Sequence, residues 1–258
     1  MFPSRMWSSS GRKWSRAPLA VLFISDLHLC AWRPEINRIF FDFLRGPARS
    51  AESLYILGDL FEYWIGDDDL GDPFNASVAA ALKQYAQGGP TLSLMQGNRD
   101  LLLGDDFAAA CNASLIVDPY PVELYGTPTL LMHGDTLCTD DRDYQRFRAE
   151  SRTPARRKQF LSQPLTRRKE EIEELRRRSE SEKKLKTAEI MDVNDEAVET
   201  VLREHDYPRL IHGHTHRPAR HEHLVDGRKC ERWVLADWYR SGSYLRCDER
   251  GCASVRLP

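Results

Sequence analysis

The chain has 258 residues, 41% of them hydrophobic, and a formal net charge of −2. That length supports one large α/β domain with an insertion, or two domains, and the near-neutral charge excludes a global attraction to nucleic acid. No stretch reaches the roughly 18–20 apolar residues of a membrane span. The six cysteines (Cys30, Cys111, Cys138, Cys230, Cys247, Cys252) are scattered with no C-x-x-C pair, which reads as reduced thiols and not a disulfide framework.

Residues 1–18 are basic and Ser-rich, with Trp7 and Trp14, and lack the apolar core of a signal peptide, so the expectation is a disordered tail ahead of one domain over 19–258. Strand and helix signals then alternate. The apolar run Val21-Leu22-Phe23-Ile24 ends in Ser25-Asp26-Leu27-His28, and Glu35 to Leu44 has helical spacing after Pro34. Leu54 to Leu57 ends in Gly58-Asp59, a helix is expected over Asn75 to Ala86, and Thr91 to Met95 ends in Gln96-Gly97-Asn98-Arg99-Asp100. A short helix around Phe107 to Cys111 follows. Val122 to Leu124 and Thr129 to Met132 look like a hairpin turned at Gly126-Thr127-Pro128, and the second arm ends in His133-Gly134-Asp135.

From about 144 to 190 the pattern changes to Arg, Lys and Glu with a sparse apolar stripe, which predicts inserted helices starting near Pro154 and Pro164 and forming a thin cap. A helix over Val193 to Glu204 leads to Leu210-Ile211 and then His212-Gly213-His214-Thr215-His216, three of the eight histidines within five residues. Short His-rich tracts are a metal cue. After Pro218, four alternating segments separated by Asp226-Gly227 and Arg250-Gly251 read as antiparallel strands of a second sheet. Two sheets covered by helices give a four-layer α/β sandwich with an inserted helical cap.

Five apolar runs thus end in ligand-type residues at the carboxyl edge of a strand, the edge where α/β sites collect. Oxygen and imidazole donors without thiolate favour a catalytic Mn, Fe, Zn or Mg site over structural zinc. No Ser-His-Asp or Cys-His grouping competes.

Together, Asp26-x-His28, Gly58-Asp59, Gly97-Asn98, His133 and Gly213-His214-x-His216 resemble the calcineurin-like metallophosphoesterase family, from Leu22 to His216 and in the family's order. The resemblance implies that Asp26, His28 and His216 hold one metal, that Asn98, His133 and His214 hold another, and that Asp59 bridges them. His212 is left as a partner behind the ligands. Two divalent ions outweigh the two carboxylates, so such a site attracts phosphate and activates a water for in-line attack. The implied catalytic set is Asp59, Asn98, Arg99 and His133, and the implied cofactor is two Mn(II) ions or other divalent metals.

Arg99 stands where many relatives have a histidine able to protonate an alkoxide. A guanidinium is a poor general acid, which favours a diphosphate whose phosphate leaving group needs no proton. Alternatively, Asp100 or His212 supplies a proton and Arg99 only binds. Within the family, His133-Gly134-Asp135-Thr136-Leu137-Cys138-Thr139-Asp140-Asp141 and Ile190-Met191-Asp192-Val193-Asn194 point to the branch acting on UDP-2,3-diacylglucosamine in the lipid A pathway. That resemblance implies release of UMP and 2,3-diacylglucosamine 1-phosphate by a cytoplasmic protein peripherally associated with the inner membrane, with no nucleic acid and no obligate protein partner. It also implies substrate contacts from Asn98, Arg99, Asp141, Ser179, Lys183, Lys186 and His214, with Lys183 departing from a family asparagine. The alternatives are a soluble nucleotide-diphosphate hydrolase with the same dinuclear site, a nuclease, which would want a broad basic surface, and a scaffold without catalysis.

Overall fold

The computed structural model describes residues 20–183 and 190–258, with side chains as far as Arg177 in the first stretch. The expected tail therefore lies outside the described residues. Strand β1 (Val21–Ile24) is apolar throughout and buried on both faces, as suits a strand inside a covered parallel sheet. Helix α1 (Pro34–Arg45) starts at Pro34 and buries Ile36, Phe40, Phe43 and Leu44, the residues at helical spacing. Strand β2 (Ser53–Leu57) precedes α2 (Pro73–Gln87), where the Asp72 carboxylate accepts from the N–H groups of Phe74 and Asn75. Strand β3 (Thr91–Met95), α3 (Asp105–Cys111) and the short β4 (Ser114–Ile116) complete a run of parallel strands.

Strands β5 (Tyr120–Leu124) and β6 (Thr127–Met132) form a hairpin. Its turn sits at Tyr125-Gly126, both left-handed, one residue earlier than expected, and Pro128 lies inside β6. Helices α4 (Arg142–Ser151), α5 (Pro154–Leu161) and α6 (Leu165–Lys183) follow, then α7 (Asp195–Glu204) and β7 (Arg209–His212). The chain closes with β8 (Ala219–Val225), β9 (Arg228–Val234), β10 (Ser243–Asp248) and β11 (Gly251–Arg256).

The strands make two sheets, ordered β11-β10-β1-β2-β3-β4 and β5-β6-β7-β9-β8. Val21, Phe23, Leu57 and Met95 from the first meet Leu131, Ile211 and Leu235 from the second in a shared core. Helices α1 to α3 cover the outer face of the first sheet, and α7 covers the second by setting Val198 and Leu202 against Leu130 and Leu210. The four-layer sandwich is met.

Two expectations are corrected. Only β8 and β9 join the second sheet, because β9 pairs with β7; β10 instead runs antiparallel beside β1, so the last hairpin extends the first sheet. Nor are all six cysteines free thiols. Cys247 and Cys252 lie opposite each other in the β10–β11 register and are joined as a disulfide, while Cys30, Cys111, Cys138 and Cys230 are free and buried. Their register partnership arises only once the hairpin is paired, and sequence spacing does not show it.

Among the described residues of α4 to α6, only Phe160 and Arg168 are buried, so these helices build no core of their own. They are fastened by arginines. Arg152 donates to the Gly97 carbonyl at 3.1 Å, Arg157 to the Leu101 carbonyl at 3.0 Å, and Arg168 to the Ile65 carbonyl and the Asp68 carboxylate. The first two anchor points lie in the β3–α3 connection that carries Asn98 and Arg99.

Candidate metal centre

The loops that follow β1, β2, β3, β6 and β7 meet at one rim. Asp26 and His28 arrive from β1, and the β1 loop is tied to the β2 loop by Asp26 N–H to the Gly58 carbonyl at 3.1 Å and His28 N–H to the Asp59 carbonyl at 3.0 Å. Gly97 lets the β3 loop lie against the β2 loop, since a Cβ there would run into the Asp59 backbone nitrogen and carboxylate.

Asp59 sits in the middle. Its Oδ2 is 3.8 Å from His28 Nε2, and its Oδ1 is 3.8 Å from His133 Nε2. On the His28 side, His216 Nε2 is 3.4 Å from His28 Nε2 and 3.2 Å from Asp26 Oδ1. On the His133 side, Asn98 Oδ1 lies 3.1 Å from His133 Nε2 and 2.9 Å from His214 Nδ1. Ligand atoms held by one ion at about 2.0–2.2 Å lie about 3–3.5 Å from one another, so both clusters have the spacing of a coordination shell.

The residues on either side point the donor atoms inward. His133 Nδ1 donates to the Leu57 carbonyl at 2.9 Å, so that in the neutral, metal-ligating form of the ring Nε2 is the lone-pair nitrogen facing Asp59. Asp26 Oδ2 accepts from Ser25 Oγ at 2.5 Å and from the His214 N–H at 2.9 Å, turning Oδ1 toward His216. Glu62, 5% exposed, sets a carboxylate oxygen 3.5 Å from His28 Nδ1. Asp26, His28, Asp59, His214 and His216 also hold φ between 51° and 68°, the left-handed region that costs a residue with a side chain on the order of 1 kcal/mol or more.

The electrostatics ask for a cation. Burial pushes the Asp59 carboxyl up to about 7, with Asp100 and Asp26 adding to the rise against His133. Burial opposes charge on His133, but the Asp59, Asp135 and Asp26 carboxylates outweigh it and raise the imidazole to about 9. His214 moves the other way, to about 3, through burial and the neighbouring His133. Burial disfavours a charged Asp26, yet His216, His133 and His28 hold it well below the usual carboxylate range. Two buried carboxylates and His133 present ligand atoms within 4.8 Å of one another. Oxygen and imidazole donors in that arrangement fit hard or borderline divalent ions.

A profile of the calcineurin-like phosphoesterases matches residues 19–218. The chain belongs to the calcineurin-like phosphoesterase family. Among its relatives, a UDP-2,3-diacylglucosamine hydrolase of Aromatoleum aromaticum is 56% identical over 233 residues, covering 90% of this chain and 95% of that one. Proteins of the same name from Pseudomonas paraeruginosa and Cellvibrio japonicus are each 48% identical, covering 93% and 90% of this chain and 100% and 96% of theirs.

In this phosphoesterase, all seven residues expected as ligands converge. His212 does not join them: it is fully buried on β7, behind the ligands. Arg99 is half-buried at the rim, and its backbone N–H donates to Asp59 Oδ1 at 2.8 Å. Asp141 is the N-cap of α4, accepting from the Tyr144 N–H at 3.1 Å. The side chains of Ser179 and Lys183, and all of Lys186, lie outside the described residues. Asp100 accepts from four backbone N–H groups, of Asp59, Leu60, Phe61 and Gly97, so its oxygens serve the loop backbone.

Several residues of the site go unread in the sequence. Glu62 is one, Asp135 another: its buried carboxylate accepts from Tyr144 Oη at 2.8 Å, Arg148 Nε at 2.8 Å and an Arg152 nitrogen at 3.3 Å. Tyr239 stacks on His28 with ring centroids 5.0 Å apart and carries Arg33 over its ring at 4.7 Å. Glu62 and Asp135 sit within the Asp59 and His133 stretches, so acidity inside a ligand loop was a usable signal. Tyr239 has none, because the loop after β9 shows no motif.

Proposed function

We propose that the chain hydrolyses the diphosphate of UDP-2,3-diacylglucosamine, giving UMP and 2,3-diacylglucosamine 1-phosphate. The observation that carries this reading is the split Asp59 carboxylate, one oxygen toward His28 and the other toward His133, with a cluster of ligand atoms on each side. The substrate is taken from the relatives' names, one of those relatives being 56% identical across nearly the whole chain.

In this reading Asp26, His28 and His216 would hold one divalent ion, Asn98, His133 and His214 a second, and Asp59 would serve both, with Mn(II) as the proposed metal. Bound there, the ions would supply Lewis acidity at the phosphate and lower the pKa of a coordinated water. Arg99, always charged, clamps the diphosphate and helps to orient it. With the Asp100 oxygens engaged by the loop backbone and His212 fully buried behind the ligands, neither side chain is assigned the role of acid in this reading. The leaving phosphate needs no protein acid at neutral pH.

Asn98, Arg99, Asp141, Ser179, Lys183, Lys186 and His214 make the substrate contacts, and α4 to α6 shelter the acyl chains as a cap over about 144–190. Trp32, Phe147, Leu161 and Ile190 on or beside those helices expose large apolar side chains, which supports peripheral contact with a membrane surface. No helix among the described residues is long and apolar enough to cross a membrane.

The test is product identification. Metal-stripped protein, given the lipid substrate in detergent, should release UMP only when Mn(II) is restored. Turnover of soluble nucleotide diphosphates without release of UMP from the lipid would keep the metal centre and overturn the lipid assignment.

A further inference from the structure

We propose that Arg232, acting through His212, is a positioning residue that sets the Gly213-His214 backbone against which Asp26 is aligned. The inference rests on the two-ion reading above and concerns how that site is held in place. Arg232 lies on β9 and is 4% exposed. Its Nε–H donates to His223 Nε2 at 3.1 Å and its Nη1–H to His212 Nε2 at 3.2 Å.

A guanidinium carries donors only, so both ring nitrogens must accept. The proton of His212 therefore resides on Nδ1, which faces the Gly213 carbonyl oxygen at 2.9 Å and donates to it. The same residue's N–H donates to the His133 carbonyl at 2.9 Å, and the next N–H, that of His214, donates to Asp26 Oδ2 at 2.9 Å. One buried cation thus fixes a tautomer, the tautomer fixes a carbonyl, and the N–H of that same peptide sets a ligand carboxylate.

The ring has little freedom to turn away. A Cβ on Gly134 would come 2.7 Å from His212 Nδ1 and 3.0 Å from the Gly213 oxygen, so the backbone beside His133 closes over it. Burying a guanidinium is costly unless its donors are met. Here the fork meets two imidazoles, and a single-headed lysine would reach both less well.

The full chain and the variants Arg232→Met, His212→Leu and His212→Gln are stripped of metal and titrated with Mn(II) by calorimetry, and kcat and KM are measured on the lipid substrate. Arg232→Met and His212→Leu should bind the ions about 10–100-fold more weakly, the range for groups that orient ligands. Their kcat should fall while KM stays near that of the wild type. His212→Gln, whose amide can still accept from Arg232 and donate to Gly213, should keep most of the affinity. Wild-type affinity in Arg232→Met, or equal damage from His212→Gln and His212→Leu, would overturn the proposal.

Nitrogen NMR of the wild-type imidazoles provides a test that no misfolded variant can spoil. It should show His212 protonated on Nδ1 and bare on Nε2, and the reverse tautomer would overturn the inference. If the wild-type chain takes up no divalent ion, the proposed function fails, and the tautomer still judges the Arg232 arrangement on its own.

Discussion

The Asp100 carboxylate lies beneath the backbone of Asp59. It accepts from the Asp59 N–H at 3.2 Å, the Leu60 N–H at 2.8 Å and the Gly97 N–H at 2.7 Å. Asp100→Ala leaves buried donors without partners and should cost at least about 1–3 kcal/mol. A chemical-denaturation midpoint measures it. A variant as stable as the wild type would show that water replaces the carboxylate at no cost.

Asp59→Ala removes a carboxylate whose two oxygens face the two ligand clusters. Loss of both metal equivalents is expected, with turnover falling by more than about 100-fold, beyond the usual loss for groups that only orient ligands. Metal analysis of the dialysed variant beside a rate assay checks both. Retention of one equivalent with near-normal turnover would refute the shared bridge.

The metal-free protein should lose stability as the pH rises from about 7 to 9. His133 is raised from 6.5 to about 9, and His216 is also raised. A raised imidazole contributes stability that is complete below its unfolded value and is lost as the pH climbs through its folded value. His212 and His214, lowered to about 4 and 3, run the opposite way, but their contribution is already complete above 6.5. Melting temperatures of stripped protein at pH 7, 8 and 9 should therefore fall. Saturating Mg²⁺ should flatten the series, because a ligand imidazole holds the ion in place of the proton.

Asp135→Ala should loosen α4. The carboxylate receives Tyr144, Arg148 and Arg152, and hydrogen bonds to charged groups are worth about 1.5–3 kcal/mol each. Limited proteolysis should cut faster within residues 142–177, and KM for the lipid should rise several-fold while metal stoichiometry is kept. Unchanged cleavage would mean that Arg157 and Arg168 suffice to hold these helices.

Much of the rim is legible in the sequence because each ligand directly follows an apolar strand. A short apolar run that stops at Asp26, Asp59, Asn98, His133 or the His212 to His216 cluster marks both the strand and its end. The sandwich follows from the alternation of such runs with helical spacing. Partnerships that exist only after pairing are not legible. Strand β10 finds β1 across more than 200 residues, and Cys247 finds Cys252 through the register of that hairpin. Strand β4 has only three residues, too few for a period to show. Arg232 looks like any surface arginine in an alternating strand until β7 and β8 lie on either side of it.

Five residues at the rim hold backbone angles that glycine would adopt without steric strain. Replacing His28 or His214 by glycine would relax the chain and remove a ligand in one step. Selection for heat resistance and selection for turnover therefore pull in opposite directions here. A library screened for survival alone would be expected to accumulate glycine at these positions and yield robust, inert proteins, while one screened for activity would have to find its stability in the helices and sheets beneath.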